Sequence, residues 1–165
     1  MMMKNKLYLS ILIFSIALGS CKPEIKGELG ETSNKEIGMN GTWELAQFIV
    51  QDPNSPILEE RDLSSWYIVS GVQPMRIHLD AASHTYQVEI TQGKNFLGDA
   101  GSWHLDDIYA PSVLFLESVS DTIEVSMGAM VTANSSEMKL NIDRTCASTG
   151  FKNVIYKFNF NRVNP

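Results

Sequence analysis

The chain is poor in the residues that build metal and redox sites. It has two cysteines, Cys21 and Cys146, and three histidines, His78, His84 and His104, in 165 residues. None of the histidines stands at a metal-ligand spacing from Cys146, so zinc is not indicated and no metal is expected. Basic residues are outnumbered, 13 against 19 acidic ones. That balance argues against nucleic acid, whose binding needs a basic stripe. No phosphate loop, serine nucleophile elbow or paired-cysteine motif occurs. No catalytic residue is therefore assigned, no cofactor is implied, and the chain is not expected to be an enzyme. The one long apolar run, Leu7 to Gly19, is too short to span a bilayer as a stop-transfer helix.

What that run does carry is an export signal. Lys4 and Lys6 precede it, and it stops at Leu18-Gly19-Ser20-Cys21. This ending resembles a bacterial lipobox, in which the cysteine receives diacylglycerol and the chain is cut before it. The resemblance implies a signal peptide over 1–20, a lipidated Cys21 and an N-terminal anchor of two or more acyl chains, enough for stable membrane attachment. It places the protein in the cell envelope as an outer-membrane lipoprotein, with the periplasmic or surface face left open. With Cys21 acylated, Cys146 has no disulfide partner and reads as a buried small hydrophobe or a free thiol.

Cleavage would remove Lys4 and Lys6 but no acid, leaving 11 basic against 19 acidic residues, a formal −8. Anionic lipid would then repel the protein, so the acyl chains must hold it. The segment 21–40 is rich in Glu, Lys, Gly, Ser and Asn and reads as a flexible tether. As a coil it reaches on the order of 25 Å. Residues 41–165 have the length of one domain.

That domain reads as short alternating strands. Met75, Ile77 and Leu79 alternate with Arg76, His78 and Asp80, and after the turn Ala81 to His84 come Tyr86, Val88 and Ile90, which predicts a hairpin. Further strands are expected over 43–51, 102–106, 112–117, 122–127, 138–142 and 154–162. The only helix predicted is brief, over Pro56 to Ser65, where Leu58, Glu59, Glu60 and Arg61 are good helix formers. Eight or more such strands separated by Gly, Pro, Asn and Ser predict an all-β protein, an antiparallel up-and-down barrel or a sandwich.

Three segments choose between these. Asn40-Gly41-Thr42-Trp43-Glu44-Leu45 opens the domain, Gly101-Ser102-Trp103 repeats its Gly-x-Trp, and the chain closes on Tyr156-Lys157-Phe158-Asn159-Phe160. With the lipobox, this order resembles the lipocalin-like lipoproteins of the Bacteroidota type, over nearly all of 41–162. The resemblance implies an eight-strand up-and-down barrel whose base is closed by Trp43. It also implies an arginine from a late strand packed over that ring, a cation–π contact open to Arg144 or Arg162.

The candidate ligand-binding residues are Phe115, Met127, Met138, Tyr156 and Phe158, with Met130, as the lining of an apolar cavity. A filled core accounts for the same residues equally well. Asp121-Thr122-Ile123 resembles the acceptor of the Bacteroidota O-glycosylation system, making Thr122 a candidate sugar site on the solvent face. Two functions follow as expectations. One is a membrane-anchored barrel binding a small apolar or amphipathic ligand. The other is a filled barrel serving as an interaction or structural lipoprotein, meeting an envelope protein partner through the loops 51–65 and 92–101.

Overall fold

The computed structural model describes residues 33–163 apart from 58, 130, 133 and 147. Residues 1–20, read in the sequence as a signal peptide, and Cys21 lie outside the described residues, as do Leu58 and Met130. A four-residue helix α1 (Glu36–Met39) precedes nine strands. These are β1 (Gly41–Gln51), β2 (Glu60–Asp62), β3 (Arg76–Asp80), β4 (Thr85–Glu89), β5 (Ala100–Leu105), β6 (Val113–Glu117), β7 (Thr122–Met127), β8 (Glu137–Thr145) and β9 (Lys152–Arg162). Every pairing is antiparallel. β1 and β3 to β9 neighbour each other in chain order, and β9 returns to β1, closing an eight-strand up-and-down barrel. β2 lies outside the ring, on the far half of β1.

The alternation in sequence becomes an inside and an outside. Ile77 and Leu79, Tyr86 and Val88, Trp103 and Leu105, Leu114 and Leu116, Met138 and Leu140, and Phe158 and Phe160 all turn into the core and are buried. The β3–β4 hairpin forms in the predicted register, with Ile77 opposite Val88 and Leu79 opposite Tyr86. In β1 a bulge between Leu45 and Gln47 inserts one residue and reverses the parity. Trp43 and Leu45 face inward before it, Phe48 after it. That is why β1 looks apolar on both faces in the sequence.

Among the described residues, the helix predicted over 56–65 does not form. Glu60 to Asp62 pair instead with Ile49 to Gln51 as β2, and a 3-10 turn spans Ser64–Trp66. Helix propensity differs by only a few tenths of a kcal/mol between such residues, which backbone pairing to an exposed strand edge overrides. The short helix lies elsewhere, at 36–39, inside the segment read as tether. Its Met39 is fully buried against the barrel. The folded unit thus begins before Gly41.

Both ends of the barrel are closed. At the Gly41 end, Trp43 Nε1 donates to the carbonyl of Met39 (2.8 Å), and Lys35 N–H donates to that of Ile108 (2.7 Å), seating α1 across the opening. At the Gln51 end, Tyr67, Phe96 and Leu97 pack inward from the loops. Tyr67 and Leu97 are almost wholly buried, and the Tyr67 hydroxyl donates to the carbonyl of Lys94 (2.7 Å). In the stretch 92–101, expected as a contact loop, Leu97 is buried and Asn95, Phe96 and Gly98 are half-buried, while Gln92 to Lys94, Asp99 and Ala100 are exposed.

Candidate functional site

The interior was the first candidate site, and aromatic rings fill much of it. Phe48 meets Tyr67 edge-on at 4.9 Å between centroids and Phe158 at 4.9 Å, while Phe96 stacks on Tyr156 at 4.6 Å. Tyr67, Phe96 and Leu97 complete this cluster from the loops. Their sequence signal is faint: an apolar pair between Gly93 and Gly98, both at positive φ. At Gly93 a side chain would run into the Tyr67 ring, so the loop needs glycine there for space as well as conformation. Burial drives the Tyr67 hydroxyl up to about 12. Tyr86 is raised too, by burial and then by Asp99, and its hydroxyl is buried without a hydrogen-bond partner among the described residues.

Of the proposed lining residues, Met138 and Phe158 are fully buried and Met127 and Tyr156 half-buried against the core. Phe115 is not among them. Leu114 and Leu116 take the inward positions of β6, so Phe115 points out and stacks on His104, 4.7 Å between centroids and 14° apart in plane. Its strand is apolar at four successive positions, which leaves its parity unreadable from sequence alone.

Trp43 is fully buried, and the Arg162 guanidinium carbon sits 4.2 Å from its ring centroid. Arg144 does not reach it. β8 runs antiparallel to β9, so Arg144 pairs opposite Val154, far along the strand from Arg162, and is exposed. Arg162 also donates to three carbonyls, from Nε to Ser135 (3.0 Å), from Nη1 to Asn40 (2.8 Å) and from Nη2 to Gly38. One side chain therefore ties α1, β1 and the β7–β8 loop together. Thr122 is exposed at the start of β7. Cys146 is partly exposed, and its thiol, 3.1 Å from the Ser148 hydroxyl, is lowered to about 7 by that hydrogen bond and by Thr149.

His78, Arg76 and Asp80 share the outer face, as their alternation predicts. Arg76 donates from Nε (2.8 Å) and Nη2 (2.6 Å) to Glu44, and His78 shares a hydrogen bond with Thr42 (2.8 Å). Among the described residues, no three of His, Cys, Asp and Glu gather closely enough to hold a metal ion.

A concavity also lies on the outside. An open groove of about 730 Å³ runs over β1, β9 and β8 and is walled by the segment after β2. Gln47, Asp62, Ser64, Glu137, Lys139, Asn159 and Asn161 lend it polar side chains, while Ile68 adds an apolar one. In sequence these positions read only as a solvated face. No protein-family model, curated protein or solved structure matches the chain.

Proposed function

We propose that this protein is a lipid-anchored envelope lipoprotein of the lipocalin-like kind, attached through Cys21, whose barrel is a filled scaffold acting through its outer surface and loops. The observation that carries this reading is the packed interior. Phe48, Phe158, Phe160 and Leu97 have no exposed surface, and α1 and the 93–98 plug cover the two ends. A rigid, plugged barrel anchored by a tether presents partners with an outer wall and loop tips. Ile57 and Phe151, in the β1–β2 and β8–β9 connections, are 78% and 70% exposed, more than solvation alone favours.

A second reading, uptake of a small apolar or amphipathic molecule, has its own observation. The unpartnered Tyr86 hydroxyl lies inside, and Phe96 and Tyr156 are only half-buried at the plugged end. Displacing the plug, which carries Phe96, would uncover Tyr156.

Native mass spectrometry of the full chain, released gently into detergent after contact with lipid extract, separates the two. A clean protein mass supports the filled scaffold; a discrete adduct lost on unfolding supports uptake. Metabolic labelling with a fatty-acid analogue tests the anchor. Label on the wild type that vanishes in Cys21→Ser supports it, and an unlabelled wild type overturns it.

A further inference from the structure

The outside of an antiparallel barrel is normally convex and wet, and polar residues there need no special account. Over β1, β9 and β8 the surface is concave instead. The bulge at Ala46 bends β1, and the wall from Asp62 to Ile68 rises beside it. The floor is a ladder across three strands. Gln47 stands opposite Asn159, Asn159 opposite Lys139, and Asn161 opposite Glu137.

Two carboxamides of this floor are held in fixed orientation. Asn159 Nδ2 donates to Gln47 Oε1 (2.9 Å), and Gln47 Nε2 donates to Asp62 Oδ2 (3.0 Å). Asp62 Oδ1 in turn accepts from the N–H of Ser64 (2.9 Å) and from its hydroxyl. The relay runs one way, so it settles which end of each amide faces where. Asn159 Oδ1 and one N–H on each amide have no partner among the described residues. The free groups are thus acceptors and donors side by side, already immobilised, which lowers the entropy lost on binding.

Charge in the groove nearly cancels, with Asp62 and Glu137 against Lys139. Neither an anion nor a cation is favoured. An apolar ligand is disfavoured as well, because it would strip water from three amides without replacing their hydrogen bonds. What fits is an uncharged ligand dense in hydroxyls, each able to donate and accept at once, with a C–H face for Ile68.

We propose that this groove binds a neutral saccharide. The inference rests on the reading that the outer wall, not the interior, is the working surface, and it gives that wall a ligand class.

The test is calorimetric titration of the full chain in mild detergent with neutral gluco-, manno-, xylo- and chito-oligosaccharides. At least one series should bind saturably, with Kd below about 1 mM. Asn159→Ala should weaken it at least about tenfold, because one amide is lost and Gln47 is released. Asn161→Ala, whose side chain has no partner to lose among the described residues, should weaken it with an unchanged unfolding midpoint. No saturable heat from any series overturns the proposal, as does binding indifferent to both substitutions or restricted to charged sugars or to peptides. A lipid adduct in the native mass would fail the filled-scaffold reading without touching the titration, so the two failures are separable.

Discussion

Arg162, on the last strand, lies over the ring of Trp43, on the first, with its guanidinium carbon 4.2 Å from the ring centroid. The same side chain gathers the carbonyls of Gly38, Asn40 and Ser135. These two residues join the ends of the folded unit, where strand pairing alone would leave α1 free to leave the barrel. Arg162→Ala should therefore destabilise the protein by about 3 kcal/mol or more, because one cation–π contact and three charge-assisted hydrogen bonds are lost together. Arg162→Lys, which keeps the charge but not the fork, should fall between. Urea midpoints at constant slope measure both.

The opposite facings of Phe158 and Phe115 can be read as stability. Phe158→Ala empties a fully buried position between Phe48 and Phe160 and should cost about 3–5 kcal/mol. Phe115→Ala removes an outward ring stacked on His104 and should cost about 1 kcal/mol. Equal losses would contradict the outward placement of Phe115.

Two glycines should respond differently to alanine. At Gly101 a Cβ would stand 1.9 Å from the carbonyl oxygen of Glu117, across the β5–β6 pairing, and backbone cannot yield cheaply there. Gly101→Ala should cost about 3 kcal/mol or prevent folding. Gly71 has open space but a φ of +80°, so Gly71→Ala should cost only about 1 kcal/mol of conformational strain. Thermal unfolding of the pair tests the contrast.

Asp106 caps the loop before β6. It accepts from the hydroxyl and N–H of Ser112 and from the N–H of Val113 (3.0 Å), and these bonds hold its carboxyl at about 2, below the usual 3.8. A lowered folded-state value means that Asp106 adds stability above the unfolded value and loses it as pH falls toward 2. The wild type should lose stability between pH about 4 and 2 more steeply than Asp106→Asn, which lacks this titration. Chemical denaturation across that window would show it.

The Cys146 thiol, lowered to about 7 by Ser148 and Thr149, should be alkylated at half its limiting rate near that pH. Ser148→Ala should move the midpoint upward. A midpoint at the ordinary thiol value in the wild type would mean that the Ser148 contact does not persist in solution.

Much of the barrel was legible because a half-buried strand writes its facing into every second residue. Where Ile77 and Leu79 alternate with His78 and Asp80, the signal is unambiguous and the hairpin register follows. It failed where both parities are apolar, as over Val113–Leu116, where the neighbouring strands decide that Leu114 and Leu116 go in and Phe115 out. It failed again at Ala46, because a bulge changes parity without changing composition. For the site, Gln47, Asn159 and Asn161 were visible as polar positions. Nothing local distinguished them from any solvated face.

By itself the sequence determined the eight barrel strands, the all-β class and the buried face of each strand that alternates cleanly, since these depend on local period and on the transfer of apolar side chains from water. The tertiary structure alone decided that Arg162 rather than Arg144 covers Trp43. It also decided that residues 36–39 and 93–98 plug the ends, and that three carboxamides share one groove. Those outcomes depend on which segments meet across the chain, as Asn40 meets Arg162. Such meetings are fixed by closing the barrel, not by any residue's own preference.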